Sequence, residues 1–192
     1  KDAYDALPVD DSKNSEVKAA YEKAAKEINK QFEYLTKDLG IKVEFIKDDP
    51  YKNSDEMFED IINNKRLKVF QGGEDHPFLG EVTKDANGFT GTEKFRAVHD
   101  YFGHFVNRNQ FGKIGEETAW VDHSKMFSPE AQRAITTETR GQNSWVNFSG
   151  VNDAAIAKMQ KGNQLIKEGN VTEGNKLIQE GQSEFKFAEQ KV

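Results

Sequence analysis

Apolar residues recur at steps of three and four from Ser15 to Leu39, where Val17, Ala20, Tyr21, Ala24, Ile28, Phe32 and Leu35 would share one helical face. The spacing predicts an amphipathic helix closed by Gly40. Ile41 to Ile46 alternates apolar with charged residues, the period of a half-buried strand. Ser54 or Asp55 can cap a second helix carrying Met57, Phe58, Ile61 and Ile62, and Leu67 to Gln71 reads as a second short strand. Leu79 to Thr83 reads as a third, with Asn87 and Gly88 as a turn. From Thr92 the period becomes helical: Thr92 to Asn107, Gly115 to Met126, and a helix that opens at Ser128, Pro129 and Glu130 and reaches Thr137 to Arg140.

The tail from Asp153 contains an internal echo, the run from Gly162 to Gly169 against the run from Gly174 to Gly181. It resembles one helix-turn-helix unit of the tetratricopeptide type, turning at Asn170 to Glu173. The predicted fold class is therefore α+β: mainly helical, with a small sheet in the first half and a C-terminal helical hairpin. Residues 1–150 form the α+β metal-binding domain, and residues 151–192 the hairpin, docked on it or available to a partner protein.

Composition narrows the function. With a mean hydropathy of −0.83 over 192 residues the chain is too polar for a membrane span, which predicts a soluble protein. Its 27 basic against 33 acidic residues leave a net charge of −6, and no basic block stands out to grip nucleic-acid phosphates. There is no cysteine, so a metal site must use His, Asp and Glu, and the absence fits a reducing compartment. The start at Lys1, without an apolar signal core, reads as a piece of a longer polypeptide.

Three of the four histidines, His99, His104 and His123, lie close together in sequence with Asp100, Glu116, Glu117, Asp122 and Glu138. A helix, a loop holding Gly112 and Gly115, and a second helix would let these side chains converge. Asp100 and His104 are four apart and share a face of a regular helix, whereas the five-residue step from His99 to His104 turns about 140°. A π-bulge would bring both imidazoles to one side, and Gly103 suits such an irregularity. The aromatic residues Phe102, Phe105, Phe111, Trp120, Phe127 and Trp145 around this stretch read as core that would also keep a metal site dry.

The segment His99-Asp100-Tyr101-Phe102-Gly103-His104 resembles the His-Glu-x-x-Gly-His zinc motif of dipeptidyl peptidase III, with Asp100 where that motif carries Glu. Gly115-Glu116-Glu117-Thr118-Ala119-Trp120 is similar to the glutamate-bearing helix of gluzincin peptidases, with Trp120 where that helix usually has an acid. The resemblance implies a zincin-like metallopeptidase that binds zinc through His99, His104 and Glu116, with Asp100 as general base and a peptide or protein as substrate. Glu117 and His123 are the other candidates for the third ligand, Glu117 also for a catalytic role, and Arg140, Glu138 or His123 would steady the substrate. The central stretch is also similar to uncharacterised bacteriophage proteins, which points to the cytoplasm or a virion.

Two other readings stand beside this one. The pair His99-Asp100, with His76 upstream and Asp122 downstream, is similar to the ligand set of HD-type metal-dependent phosphohydrolases, although that fold is all-helical. The cluster could instead be a buried polar network in a non-enzymatic, phage-associated structural or binding module. Close approach of His76 to His99 would favour the phosphohydrolase, and Glu116 closing the site the peptidase.

Overall fold

The computed structural model describes residues 1–73 and 75–192. Its elements in chain order are α1 (Asp2–Asp5), α2 (Ser15–Glu33), β1 (Lys42–Ile46), α3 (Ser54–Asn64), β2 (Arg66–Phe70), α4 (Gly91–Val98), α5 (Lys113–Ser124), α6 (Pro129–Thr136), α7 (Gln142–Phe148), α8 (Asp153–Lys167) and α9 (Val171–Glu184). This is the mainly helical α+β class expected, with one two-stranded parallel sheet in the first half and a helix pair near the end. Among the described residues, no helix is long and apolar enough to cross a membrane. Two compact units divide the chain: residues 7–140 with 190–192, and residues 1–6 with 141–189.

The larger unit is built around the apolar stripe of α2. Ala20, Tyr21, Ala24 and Ile28 are buried there, and Val17 and Phe32 pack at its margin. Asn14 caps α2 by accepting from the Glu16 amide at 3.0 Å. Met57, Phe58 and Ile61 of α3, Leu67 and Val69 of β2, and Phe95 and Val98 of α4 complete the same core. Burial of each such side chain contributes about 1.5–3 kcal/mol. β1 and β2 run parallel, with Val43 opposite Leu67 and Phe45 opposite Val69, and α3 makes the crossover between them. The α3 cap is Asn53, which accepts from the Glu56 amide at 3.0 Å, rather than Ser54 or Asp55. Ser54 is already helical, and its hydroxyl goes to Gln110.

Two further differences from the sequence reading have local causes. Leu79 to Thr83 is not a strand, and Glu81–Thr83 forms a single 3₁₀ turn. The Asp75 carboxylate takes the Glu81 amide at 2.9 Å, and the Thr83 hydroxyl bonds the carbonyls of Leu79 and Gly80, both at 2.8 Å, so side chains satisfy backbone groups that a ladder would need. Each of the three longest predicted helices of this unit ends in a π-helical segment: Tyr34–Asp38 after α2, His99–Phe105 after α4, and Thr137–Gly141 after α6. The last of these ends at the boundary between the units.

The smaller unit holds α1, α7 and the hairpin of α8 and α9. The echo is structural here. A Cβ on Gly162 would meet the Gly174 carbonyl at 2.6 Å and the Ile178 side chain at 2.7 Å, while one on Gly174 would meet the Gly162 carbonyl at 2.7 Å and the Ile166 side chain at 2.6 Å. The two copies of the repeat thus pack reciprocally, and glycine at both crossing points is what lets the backbones touch. The hairpin turns earlier than the sequence suggested. The Gly169 amide bonds the Ile166 carbonyl at 3.0 Å and the Asn170 amide the Leu165 carbonyl at 2.8 Å, a Schellman ending that stops α8 and lets α9 start at Val171. Asn152 then holds the chain beyond α9 by donating to the Lys186 carbonyl and accepting from its amide, both at 2.8 Å.

Candidate metal centre

The capping box of α4 begins the construction. Thr90 and Glu93 exchange hydrogen bonds of 3.2 and 2.8 Å and fix the start of the helix that runs into His99. From His99 to Phe105 the helix is π-helical, as the five-residue spacing of the two histidines demands if they are to act together. Their rings stand edge to face, centroids 5.1 Å apart. Gly103 makes room for this arrangement, because a Cβ there would lie 3.1 Å from His99 Nδ1 and 3.2 Å from the carbonyl of Ala119 on α5. That close approach brings α5 against the π segment and carries Glu116 to the histidines.

His99, His104 and Glu116 each offer a ligand atom, and these atoms all lie within 4.8 Å of one another. Glu116 Oε2 is 3.5 Å from His104 Nε2 and 3.9 Å from His99 Nε2. His99 Nε2 is buried and has no hydrogen-bond partner. Among the described residues this is the one group of His, Asp and Glu spaced to hold a metal ion.

Neighbouring hydrogen bonds assign the protons. The Asn109 carbonyl, 2.9 Å from His104 Nδ1, can only accept, so His104 carries a proton on Nδ1 and turns Nε2 to Glu116. The second relay is longer. Gln31 points its amide nitrogen at the Met126 carbonyl, 3.4 Å away, which turns its oxygen to His123 Nε2 at 2.7 Å. His123 therefore donates from Nε2. Burial first, then the charges of His99 and His104, hold its pKa well below the ordinary range, so it is neutral and its Nδ1 accepts. His99 Nδ1, at 3.2 Å, is the donor to it, which turns His99 Nε2 toward Glu116. Both imidazoles thus turn their Nε2 atoms toward the Glu116 carboxylate, the orientation that outer partners impose on metal-binding histidines.

In the metal-free protein the charges favour a proton on the His104 imidazole that faces Glu116, the place a metal ion would take. Burial pushes the Glu116 pKa up, but His104 and His99 outweigh it and hold it at about 2. Burial pulls His104 down, and Glu116 and Asp100 together raise it above the usual imidazole value. Asp100 is pushed up to about 6 by burial, against the pull of His104 and His99. Phe95 and Phe127 flank His123, and Phe111 stands edge-on to His104 at 5.1 Å. Of the rings the sequence expected there, Phe102, Phe111 and Phe127 lie against the histidines, whereas Trp120 lies under Arg140 and Trp145 belongs to the smaller unit; Phe95 was not among those expected.

The remaining candidates have other partners. His123 acts through His99 rather than as one of the three converging groups. Glu117 pairs with Arg140 in a two-pronged contact of 2.8 and 3.1 Å, both about half exposed, and Arg140 also lies over the Trp120 ring at 4.5 Å. Asp122 holds Asn109 at 3.0 Å and Lys125 at 3.1 Å, so it braces the loop behind His104. Glu138 is buried with His76, Tyr21 and Gln190. His76 does not join His99: its Nε2 faces Glu138 at 3.1 Å and its Nδ1 accepts the amides of Phe78 and Leu79 at 3.0 Å. Of the two discriminating geometries, the one in which Glu116 closes the site is present.

Gln31 and Asn109 were not among the sequence candidates. Gln31 did leave a signal, as a polar residue inside the apolar stripe between Ile28 and Leu35. Asn109 contributes a main-chain carbonyl, which no side-chain pattern reveals. Compared with known protein families, curated proteins and solved structures, the chain matches none.

Proposed function

We propose that the larger unit is a zinc-dependent hydrolase of the peptidase kind, with His99, His104 and Glu116 as ligands and Asp100 as base. The observation that carries this reading is the buried Nε2 of His99, which lacks a hydrogen-bond partner and faces Glu116 beside the Nε2 of His104. Nitrogen lone pairs turned toward a carboxylate repel it unless a cation or proton lies between them. Two histidines and one carboxylate are the ligand set of catalytic zinc sites that keep a fourth position open. Zinc held there would supply an activated water for attack on a carbonyl.

The chain's own residues would do the rest. With a pKa near 6, Asp100 is mostly ionised at neutral pH yet basic enough to take a proton, the range in which a general base works well. Gln31 and His123 hold the His99 ring in one tautomer, and Asn109 does the same for His104. Glu117 and Arg140, occupied with each other, have no assigned part. The HD-type reading loses His76 to Glu138.

The test combines metal analysis with peptide cleavage. Purified protein is expected to hold one zinc per chain at neutral pH, His104→Gln to hold none, and Asp100→Asn to keep both fold and zinc while losing cleavage of an unstructured peptide. Protein that binds no stoichiometric metal, or that is fully loaded and cleaves nothing across a broad peptide library, overturns the proposal.

A further inference from the structure

We propose that the cavity beside the metal centre binds the C-terminal residue of a peptide, with Arg96 receiving its terminal carboxylate and the aromatic walls its side chain. The cavity measures about 230 Å³ and is walled by Tyr51, Phe70 and Phe111, with Arg96 and Asp100 facing into it. It is smaller than the pockets that hold a whole drug-sized ligand and suits one side chain. Phe111 is the same ring that stands against His104, so the cavity adjoins the centre.

Arg96 is partly buried and fixed in direction. One of its terminal nitrogens, Nη1, donates to the carbonyls of Phe70 at 3.1 Å and Gly72 at 2.7 Å, and the guanidinium lies 5.4 Å from the centre of the Phe70 ring. A guanidinium has five N–H donors, so Nε and Nη2 remain for a ligand. Among the described residues no carboxylate pairs with it. Glu93, one turn back, is committed to the Thr90 amide at 2.8 Å and Gln71 at 2.9 Å. A guanidinium held half out of water on the wall of a largely aromatic cavity, with no described carboxylate in ion-pair contact, is matched by a planar anion that it can grip with two parallel bonds.

Two observations choose the anion and its place. Asp49 and Asp100 line the same cavity, and their repulsion penalises a doubly charged phosphate more than a singly charged carboxylate. Arg96 and Asp100 are one helical turn apart, on either side of His99 in sequence. A terminal carboxylate on Arg96 therefore sets the preceding peptide group toward Asp100. The substrate class becomes a peptide with a free C-terminus and an aromatic or branched last residue. This rests on the hydrolase reading for its purpose, but binding in the cavity does not require zinc.

The experiment is calorimetric titration of N-acetyl-phenylalanine, its carboxamide and phenyl phosphate into wild type, Arg96→Met and Arg96→Lys, each with zinc and after chelation. Wild type is expected to bind the acid at least tenfold more tightly than the amide in both metal states. Arg96→Met should lose that preference and Arg96→Lys keep only part of it. The amide comparison uses wild type alone, so it stands even if Arg96→Met fails to fold. Acid and amide binding alike, acid binding only with zinc present, phenyl phosphate binding more tightly than the acid, or a folded Arg96→Met that keeps the preference would each overturn the proposal. A preference for the acid in protein that binds no zinc would sink the hydrolase reading and leave this one standing.

Discussion

The larger unit contains two buried clusters made of the same parts, and they are finished differently. In the first, Glu138 takes hydrogen bonds from Tyr21 at 2.5 Å, His76 at 3.1 Å and Gln190 at 3.2 Å. His76 Nδ1 accepts two amides, so protein atoms answer both ring nitrogens. In the second, His99, His104 and Glu116 are oriented as carefully from behind, yet His99 Nε2 has no hydrogen-bond partner. Buried histidines and carboxylates therefore do not mark a site by themselves. What separates a clasp from a centre is whether the protein supplies the last donor or leaves it to a guest.

The largest expected effect is a double dissociation. Glu116→Gln should abolish stoichiometric zinc binding and leave a folded protein. Glu138→Ala should keep zinc but lower stability by about 3 kcal/mol, because a buried acceptor of several donors is lost. Zinc titration and denaturant unfolding on the two variants check this, and a folded Glu138→Ala that loses zinc would break the comparison.

Next in size is a pH effect confined to the open cluster in the zinc-free protein. Asp100 has a folded pKa of about 6 against an ordinary 3.8, so its charge costs stability progressively as pH rises from about 4 to 6. Glu116, lowered from 4.5 to about 2, contributes stability above 4.5 that is lost only as pH falls toward 2. Neutral buried His123 works against Asp100 as pH rises toward its ordinary value of 6.5, since its lowered pKa favours the higher pH. The measurement is therefore a difference: Asp100→Asn should gain on wild type by up to about 3 kcal/mol between pH 4 and 7. A flat difference would mean that Asp100 is not held in a charge-disfavouring place.

Gln31→Leu removes the far end of the relay that fixes His99, and zinc affinity should fall about 10- to 100-fold with little change in the His76 cluster. Competition with a chromogenic chelator measures it. The smallest effect is that of Gly103→Ala, whose methyl would press on His99 Nδ1 and on Ala119. Affinity should drop a few-fold, although alanine favours a regular helix by about 1 kcal/mol. Unchanged affinity in both variants would mean that the ligands need no help from behind.

The sequence carried the open cluster further than the closed one. His99, His104 and Glu116 lie on adjacent helices, so spacing and a bulge were enough to bring them together. The relay partner Gln31 comes from the first long helix, and the Glu138 clasp joins residues from Tyr21 to Gln190, pairings that only the tertiary fold creates. Arg140 and Glu138 looked like substrate residues because both lie near the cluster in sequence, but Glu117 and His76 engage them. Leu79 to Thr83 misread as a strand for a related reason: the bonds from Asp75 and Thr83 that replace a ladder are side-chain choices invisible to periodicity.

The π segment that joins His99 to His104 has a consequence for insertions and deletions. A π-turn is an α-helical turn carrying one surplus residue, absorbed locally so that the flanking helix keeps its register. Deleting Tyr101 would shorten the interval from five residues to four, which an ordinary helix presents on one face, and His99 and His104 would still meet. Inserting a residue there would leave an interval of six, which neither kind of turn closes. The segment is thus tolerant of loss and intolerant of gain, and chains that share this centre should vary by one residue in one direction only.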